Sequence, residues 1–123
     1  MAGLHVDEIR NAAGTGPAPL YRQYADKIWA NLNGTGTIAL RDSKNIASVT
    51  DNGTGDYTFN YTLNMANANY GISWGVSLPS SVVATFMPAA PAVSTFRVAS
   101  YRPDTSAITD ASYVMPKMQG DLA

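Results

Sequence analysis

One short stretch limits the fold of this chain more than any other feature of the sequence. Between residues 57 and 63, Thr or Asn alternates with the apolar residues Tyr57, Phe59, Tyr61 and Leu63. A period of two places alternate side chains on opposite faces of a β-sheet, so one face is buried and the other faces water. The Asn-Gly and Thr-Gly pairs within 52–55 tolerate positive φ and favour a tight turn. We therefore predict that 57–63 is the second strand of a hairpin.

Similar patterns recur along the chain as short strands separated by turn residues. We expect the strand 70–78, which alternates apolar residues with Gly, Ser and Asn, to pair with 57–63. Pro116 is expected to stop the last strand, and the proline-interrupted segment 79–95 to form a long loop. The predicted strands cover about 28–32, 37–41, 46–50, 57–63, 70–78, 96–101 and 112–115. This succession indicates an all-β fold, either a small barrel or an antiparallel β-sandwich (jelly-roll-like), and we predict the sandwich.

The N-terminal part of the chain has a different character. The segment Gly14–Pro19 combines glycine freedom with proline stiffness, so the residues up to this point are predicted to form a short extended arm. Leu20, Tyr24 and Ile28 have the spacing of one helix face over 20–31, while the alternative is that 28–32 is already the first strand. We assign a short helix to about 20–27 and the strand to about 28–32. We divide the chain into an arm with a short helix, 1–27, and a β-sandwich domain, 28–123.

Charge is scarce and unevenly distributed in this sequence. Charged residues make up 14% of the 123 positions, against about 25% in typical soluble domains. None lies between Tyr57 and Phe96. A small monomer with so neutral a half risks association, so we expect oligomer or lattice contacts to cover much of it. The candidate interface residues are Val82, Val83, Phe86 and Met87.

The overall charge and the terminal sequence bear on location and partners. The net charge of −1 and the pI near 5.6 provide no electrostatic reason to expect nucleic acid or an acidic membrane as a partner. The first residues lack the basic and apolar regions of a signal peptide, and no later run approaches the ~18 apolar residues of a membrane span. We expect a soluble product that is made in the cytoplasm without an export signal.

Residues suited to catalysis are few. The chain has no Cys, His5 is its only histidine and Glu8 its only glutamate, so neither a histidine-based triad nor a histidine-rich metal site can be assembled. The three Gly-Thr-Gly elements lack the helix start that a phosphate loop requires, and we interpret them as turns. We predict a protein that is not an enzyme, with no catalytic residues, no metal and no cofactor.

Asp51 and Asp56 flank one loop, and the sequence allows more than one role for this pair of carboxylates. They could share a calcium ion with backbone carbonyls, but the loop lacks the further carboxylates of such a site, which favours turn-capping aspartates. A small hydrolase is a remote alternative. It would require this pair to come together and at least one of the two pKa values to be raised.

Aromatic residues raise the question of sugar binding. Two tryptophans and seven tyrosines are present, and flat apolar rings with polar edges suit saccharide faces. Most of these rings, including Trp74, are expected in the core. Tyr101 and Tyr113 are the candidate sugar contacts, and a stand-alone carbohydrate-binding module is one alternative function.

Two long segments carry a resemblance to known proteins. Residues 29–43 read WANLNGTGTIALRDS and residues 46–58 read IASVTDNGTGDYT. They resemble a module that recurs in tail fibre and related virion structural proteins of tailed bacteriophages. Residues 6–16, VDEIRNAAGTG, look like the short segment that such proteins carry near their particle-proximal part. After about residue 64 the match is one of strand pattern only.

The resemblance implies a β-rich module that assembles on a virion, commonly as a homotrimer, and displays loops toward the host surface. It also implies that the N-terminal arm docks to other virion proteins through Val6, Asp7, Glu8, Ile9 and Arg10. The expected protein is a short tail fibre or a tail-tip or baseplate appendage on the tail or capsid surface, with a host glycan as a further partner. Only about a dozen residues separate Gly16 from Trp29, where longer relatives place a shaft, so a capsid decoration protein is the other alternative.

Overall fold

The computed structural model describes residues 12–15, 25–79 and 81–123, and this part of the chain is an antiparallel β-sandwich without a helix. The prediction of an all-β sandwich is confirmed. The strands are β1 (Asp26–Asn33), β2 (Ala39–Lys44), β3 (Ile46–Gly53), β4 (Asp56–Tyr61), β5 (Gly71–Ser77), β6 (Ala84–Phe86), β7 (Thr95–Arg102), β8 (Ala107–Ile108) and β9 (Tyr113–Gln119).

The strands form two antiparallel sheets. The four-stranded sheet has the order β2-β1-β9-β5, and the five-stranded sheet has the order β3-β4-β7-β6 with β8 also paired to β7. Each sheet joins strands that are distant in the sequence, because β1 pairs with β9 and β4 pairs with β7. Neither sheet is therefore completed by local hairpins alone.

The predicted hairpin is formed by β3 and β4. Tyr57, Phe59 and Tyr61 are buried as the alternation predicts, and Gly53 and Gly55 take the positive φ values of 128° and 65° that the turn requires. The prediction that Leu63 lies on the buried face of this strand is wrong. The strand ends at Tyr61, and Leu63 follows it with a side chain that is 59% exposed.

Asn45 is the corner at which the chain leaves one sheet for the other. It lies between β2 and β3 with φ of 59°, a left-handed conformation that Asn tolerates better than most residues. Its Oδ1 accepts a hydrogen bond from the backbone N of Leu63 at 2.6 Å, and its Nδ2 donates to the carbonyl of Leu63 at 2.9 Å. One side chain therefore joins this corner to the segment that leaves β4.

The core lies between the facing sides of the two sheets. The rings of Trp74 on β5 and Phe96 on β7 meet with centroids 5.6 Å apart, which places Trp74 inward as predicted. The indole Nε1 donates to Thr85 Oγ1 at 2.7 Å, so its polar group is satisfied. Core side chains with at most 1% exposure are Ile28, Leu32, Tyr57, Phe59, Met65, Phe96, Val98, Ala111, Val114 and Met118.

The predicted pairing of 70–78 with 57–63 is wrong. The strand β5 lies in the four-stranded sheet, where all seven of its residues pair with β9, whereas β4 pairs with β3 and β7. The connection between β4 and β5 crosses from one sheet to the other, and Met65 within it is buried. Alternation shows that a strand has one buried face, but both sheets of a sandwich offer the same kind of face.

The prediction that Pro116 stops the last strand is also wrong. Strand β9 continues to Gln119 between β1 and β5, and the Pro116 ring is fully buried. On the β5 side the register is continuous through Trp74 opposite Pro116. On the β1 side no residues pair between Trp29 opposite Lys117 and Leu32 opposite Val114. Because proline has no N–H, the sheet accommodates it by giving up pairing toward β1.

The remaining sequence predictions are only partly met. The segment 79–95 is largely irregular, but its residues 84–86 form β6 at the edge of the five-stranded sheet. Residues 20–24 of the predicted helix over 20–27 lie outside the described residues. Asp26 and Lys27 already belong to β1, so the strand starts two residues before the predicted boundary at 28.

Candidate binding surfaces

An apolar patch lies on the outer face of the five-stranded sheet. Phe86 on β6 lies opposite Ala99 on β7, and its ring meets Tyr101 edge to face with centroids 6.0 Å apart. Ile108 on β8 pairs with Tyr101 from the other side of β7. Phe86 and Ile108 are 42% and 46% exposed. We call Phe86, Tyr101 and Ile108 the outer patch.

The predicted interface residues lie in β6 or next to it in the chain. Val82 and Met87 lie on either side of β6 and are exposed, Val83 is half-buried, and Phe86 belongs to the patch itself. Within the described residues β6 pairs only with β7, so the other edge of β6 presents unpaired backbone groups. Apolar side chains beside an open strand edge suit contact with another chain.

The two predicted sugar-contact tyrosines lie on different sheets. Tyr101 is part of the outer patch, whereas Tyr113 lies on the outer face of the four-stranded sheet. The guanidinium carbon of Arg41 lies 4.2 Å from the centre of the Tyr113 ring, so one face of this ring already contacts a cation. The two rings do not form a common aromatic row.

The structure separates the roles of Asp51 and Asp56. The Oδ1 of Asp51 accepts a hydrogen bond from the N of Gly53 at 3.0 Å, the turn-capping role predicted for it. Asp56 forms an ion pair with Arg97, which lowers the pKa of the carboxyl despite the opposing effect of burial. The hydrolase alternative requires a raised pKa for at least one of the two carboxyls, and the shift of the Asp56 pKa has the opposite direction.

The hydroxyls of Tyr57 and Tyr70 form hydrogen bonds with the backbone of loops between strands. Tyr57 Oη donates to the carbonyl of Gly34 at 2.8 Å and accepts from the N of Ala111 at 3.4 Å. Tyr70 Oη donates to the carbonyl of Ala92 at 2.7 Å and lies 2.9 Å from Tyr61 Oη. Burial raises the pKa of Tyr57, Tyr61 and Tyr70 above the usual value, so the three phenols stay protonated and serve as hydrogen-bonding groups.

A groove opens on the outer face of the four-stranded sheet where the pairing of β1 and β9 is interrupted. Its volume is about 440 Å³. Trp29 and Asn31 of β1 form one wall, Met115 and Lys117 of β9 form the other, and Asp26 lies among the lining residues. Ala30 and Pro116 form the floor, since their side chains point into the core.

Sequence reasoning missed this groove although part of its signal was present. Ile28 and Leu32 were predicted to lie in one strand, and alternation from these two apolar residues places Trp29 on the opposite, outer face. The unpaired stretch beside Pro116 had no such signal, because it depends on which strand lies next to β9.

The predicted docking residues Val6, Asp7, Glu8, Ile9 and Arg10 lie outside the residues that the structure describes.

In the described ranges, no three His, Cys, Asp or Glu side chains come together as metal ligands would. The same ranges hold no helix long and apolar enough to cross a membrane. Comparisons with protein-family models, with curated proteins and with solved structures return no match.

Proposed function

We propose that this protein is a bacteriophage virion structural protein, a short tail fibre or a tail-tip or baseplate appendage that self-associates as a homotrimer. The resemblance in sequence supports the class of protein. The segments 29–43 and 46–58 that carry it contribute to β1 through β4, two hairpins that lie in opposite sheets and are joined at Asn45. The resemblance therefore covers a structural unit and not only scattered turns.

The observation that carries the proposed self-association is the outer patch with its open strand edge. Val82, Phe86 and Met87 are 74%, 42% and 44% exposed, and they lie in the part of the chain that has no charged residue. Leaving this apolar area in water costs free energy that contact with a second copy would recover. Stable protein interfaces bury about 800 Å² on each partner, so the contact would extend beyond the patch along β6.

Light scattering of the purified protein in dilute solution tests the self-association. We expect the mass of a trimer for the full chain and a lower mass for the double variant Val82→Ser, Phe86→Ser. The matched control is Leu63→Ser, because Leu63 is also an exposed apolar residue, at 59%, but follows β4 and is not part of the patch. A monomeric full chain would contradict self-association through the patch and would move the proposal to a decoration protein that gains partners only on the assembled particle.

Incorporation into particles tests the proposed virion role. Every strand that the described residues form lies in 26–119, so a chain that lacks residues 1–16 keeps all of these strands. We expect this truncated protein to be folded and soluble but absent from purified particles, because the docking residues 6–10 have been removed. Normal incorporation of the truncated protein would refute docking through the arm.

A further inference from the structure

We propose that the open edge of β5 is the surface on which the β6 edge of a second copy docks, so that strand pairing continues from one copy to the next around the trimer. The inference rests on the proposed self-association and names the second surface that this contact needs. A three-fold ring is built from head-to-tail contacts, in which one surface meets a different surface of the next copy. The edge of β6 and the outer patch therefore require a counterpart elsewhere on the chain.

The long strand edges of the sandwich differ in how well they are protected. Besides β6, the strands β2, β3 and β5 lie at sheet edges within the described residues. Strand β2 carries Arg41, Asp42 and Lys44, and β3 carries Asp51 and pairs with two irregularities. Strand β5 has no charged residue, and its register with β9 is continuous. Because charges and bulges discourage pairing at an edge, β5 is the long edge that lacks both protections.

The gap between β1 and β9 shows which way the backbone of Pro116 points. Continuing the register of these strands would pair Ala30 with Pro116 and Asn31 with Met115, and both pairs are missing. In an antiparallel ladder a single hydrogen bond, from the nitrogen of Pro116 to the carbonyl of Ala30, would belong to both pairs. Proline has no hydrogen to donate. The backbone nitrogen and carbonyl of Pro116 therefore face β1 and not β5.

This orientation identifies the backbone groups on the free edge of β5. Successive residues of a strand direct their backbone groups to opposite sides, so the two neighbours of the proline bond to β5, where they lie opposite Ser73 and Gly75. The residues between and beside these two have the other orientation. The N–H and C=O groups of Ile72, Trp74 and Val76 consequently point away from β9, to an edge that no described strand occupies.

The same reasoning identifies the free backbone groups of β6. The N of Ser100 donates to the carbonyl of Gly55 at 2.8 Å, and the carbonyl of Ser100 accepts from the N of Thr109 at 3.0 Å. Both groups of Ser100 therefore face away from β6, although Thr85 lies opposite this residue. Thr85 must then direct its own N–H and C=O to the open side of β6. Both edges thus offer donors and acceptors for a strand of another copy.

The inward side chains of β5 are incompletely covered. Ile28 on β1 and Met118 on β9 are fully buried, whereas Ile72, Trp74 and Val76 pack against the core but are only half-buried. A strand that pairs with the free edge of β5 would place its inward side chains beside them. This contact would remove apolar area from water in addition to forming backbone hydrogen bonds.

The outward side of β5 suits the apolar residues beside β6. Gly71, Ser73 and Gly75 are small and exposed, whereas Phe86 and Met87 are large, apolar and 42% and 44% exposed. In a sheet that continues from β6 into β5 of the next copy, these large side chains would lie beside the small ones. Cross-strand packing of an aromatic ring beside glycine is favourable, because the ring covers backbone that glycine leaves bare.

The two edges lie on the same side of the sandwich, as a trimer requires. Trp74 Nε1 on β5 donates to Thr85 Oγ1 on β6 at 2.7 Å, while the opposite side is closed by Asn45 between β2 and β3. A three-fold axis along the β5–β6 side would bring the β6 edge of one copy to the β5 edge of the next. Both strands lie in the segment without charged residues, so no like charges oppose the contact.

Two substitutions at Val76 separate the strand edge from side-chain packing. Val76→Pro removes the N–H that faces the open edge and leaves the hydrogen bonds to β9 in place, whereas Val76→Ala truncates the side chain and keeps the N–H. Circular dichroism checks that both full-length variants are folded. By light scattering we expect the mass of three chains for the unchanged protein and for Val76→Ala, and the mass of one chain for Val76→Pro.

Mixing two variants tests whether the contact is head-to-tail. Val76→Pro keeps its β6 edge, and the double variant Val82→Ser, Phe86→Ser keeps its β5 edge. Neither can form the contact alone, but the β6 edge of the first can pair with the β5 edge of the second. We therefore expect a species of two chains in a concentrated equimolar mixture and in neither variant alone. A two-fold contact between identical edges would not be restored by mixing.

Amide hydrogen exchange provides a measurement that does not depend on the folding of Val76→Pro. In the unchanged protein we expect the N–H groups of Ile72, Trp74 and Val76 to be protected, and to exchange faster in the double variant Val82→Ser, Phe86→Ser. Protection that persists in the double variant would show that residues of the same copy cover β5, and it would overturn the proposal.

The outcomes distinguish this proposal from the self-association on which it rests. A folded Val76→Pro protein with the mass of three chains, or a mixture without the two-chain species, would overturn the role of β5 and leave self-association through the patch in place. A dimeric unchanged protein would overturn the head-to-tail contact. A monomeric unchanged protein would refute self-association and the β5 contact together.

Discussion

Gly34 is a position where packing excludes any side chain. Its backbone N donates to the carbonyl of Ala111 at 2.9 Å, and its own carbonyl accepts from Tyr57 Oη. A Cβ at this position would collide with the hydroxyl and ring of Tyr57 and would come within 2.8 Å of the Ala111 carbonyl. The small residue at position 34 therefore allows the loop after β1 to reach the buried phenol.

We expect Gly34→Ala to lower the free energy of unfolding by about 1–3 kcal/mol, the usual cost of overpacking a rigid site. Urea denaturation followed by tryptophan fluorescence measures this change. Gly71→Ala is the control, because its added Cβ would find only the Gln119 carbonyl at 3.8 Å and its φ is not positive. Equal stability of the two variants would contradict the collision at Tyr57.

Asp56 shows how one ion pair makes stability depend on pH. Its carboxylate accepts from Arg97 Nε at 2.9 Å and Nη2 at 2.6 Å, a two-point contact that is stronger than a single hydrogen bond. The hydrogen bonds from Arg97 hold the pKa of Asp56 below its usual value of 3.8, although burial acts in the opposite direction. A lowered pKa in the folded state contributes stability above the unfolded pKa and loses it as the pH falls through the folded pKa.

We therefore expect Asp56→Asn to lower the urea midpoint at pH 7, with a difference from the unchanged protein that shrinks as the pH falls below about 4. The control is Asp104→Asn. Asp104 meets Arg102 through one contact of 2.8 Å and is 59% exposed, so its loss should change the midpoint less. A difference at Asp56 that persists undiminished at about pH 2 would contradict the assigned pKa direction.

The strand connections depend on a few residues with specific backbone demands. The β2 to β3 connection is a single residue, Asn45, which needs a left-handed conformation and supplies two hydrogen bonds to Leu63. Strand β9 depends in another way on Pro116, which is buried in the core while its missing N–H interrupts the pairing with β1. Asn45 lies where the chain passes from one sheet to the other, and Pro116 lies where the interrupted pairing of β1 and β9 leaves a groove.

Two substitutions at Asn45 separate its conformational role from its hydrogen bonds. Asn45→Gly keeps the left-handed backbone but removes both bonds to Leu63, whereas Asn45→Ala removes the bonds and also strains the backbone. We expect Asn45→Ala to be less stable than Asn45→Gly by about 1 kcal/mol, the cost of a left-handed residue with a Cβ. Thermal unfolding followed by circular dichroism provides the comparison, and equal stability would show that position 45 relaxes to another conformation.

Considered as one body, the sandwich has two outer faces with different character. On the outer face of the five-stranded sheet, β3 and β4 carry polar contacts, in which Asn60 donates to Thr50 and Asn52 donates to Thr58. The outer patch lies on the same face at β6, β7 and β8. The four-stranded sheet carries the groove and the small residues of β5. Self-association through the patch would leave the outer face of the four-stranded sheet uncovered.

The all-β class, the β3–β4 hairpin and the strand at 96–101 could be predicted from the sequence, because alternation and turn residues act over a few neighbouring positions. The pairing of β5 with β9 could not be predicted, since Ile72, Trp74 and Val76 would suit the buried face of either sheet. The passage of β9 through Pro116 and the collision site at Gly34 depend on neighbours far along the chain. Local chemistry determined which residues form strands and which face is apolar, while long-range packing decided which strands meet, and the groove at Trp29 arises where they do.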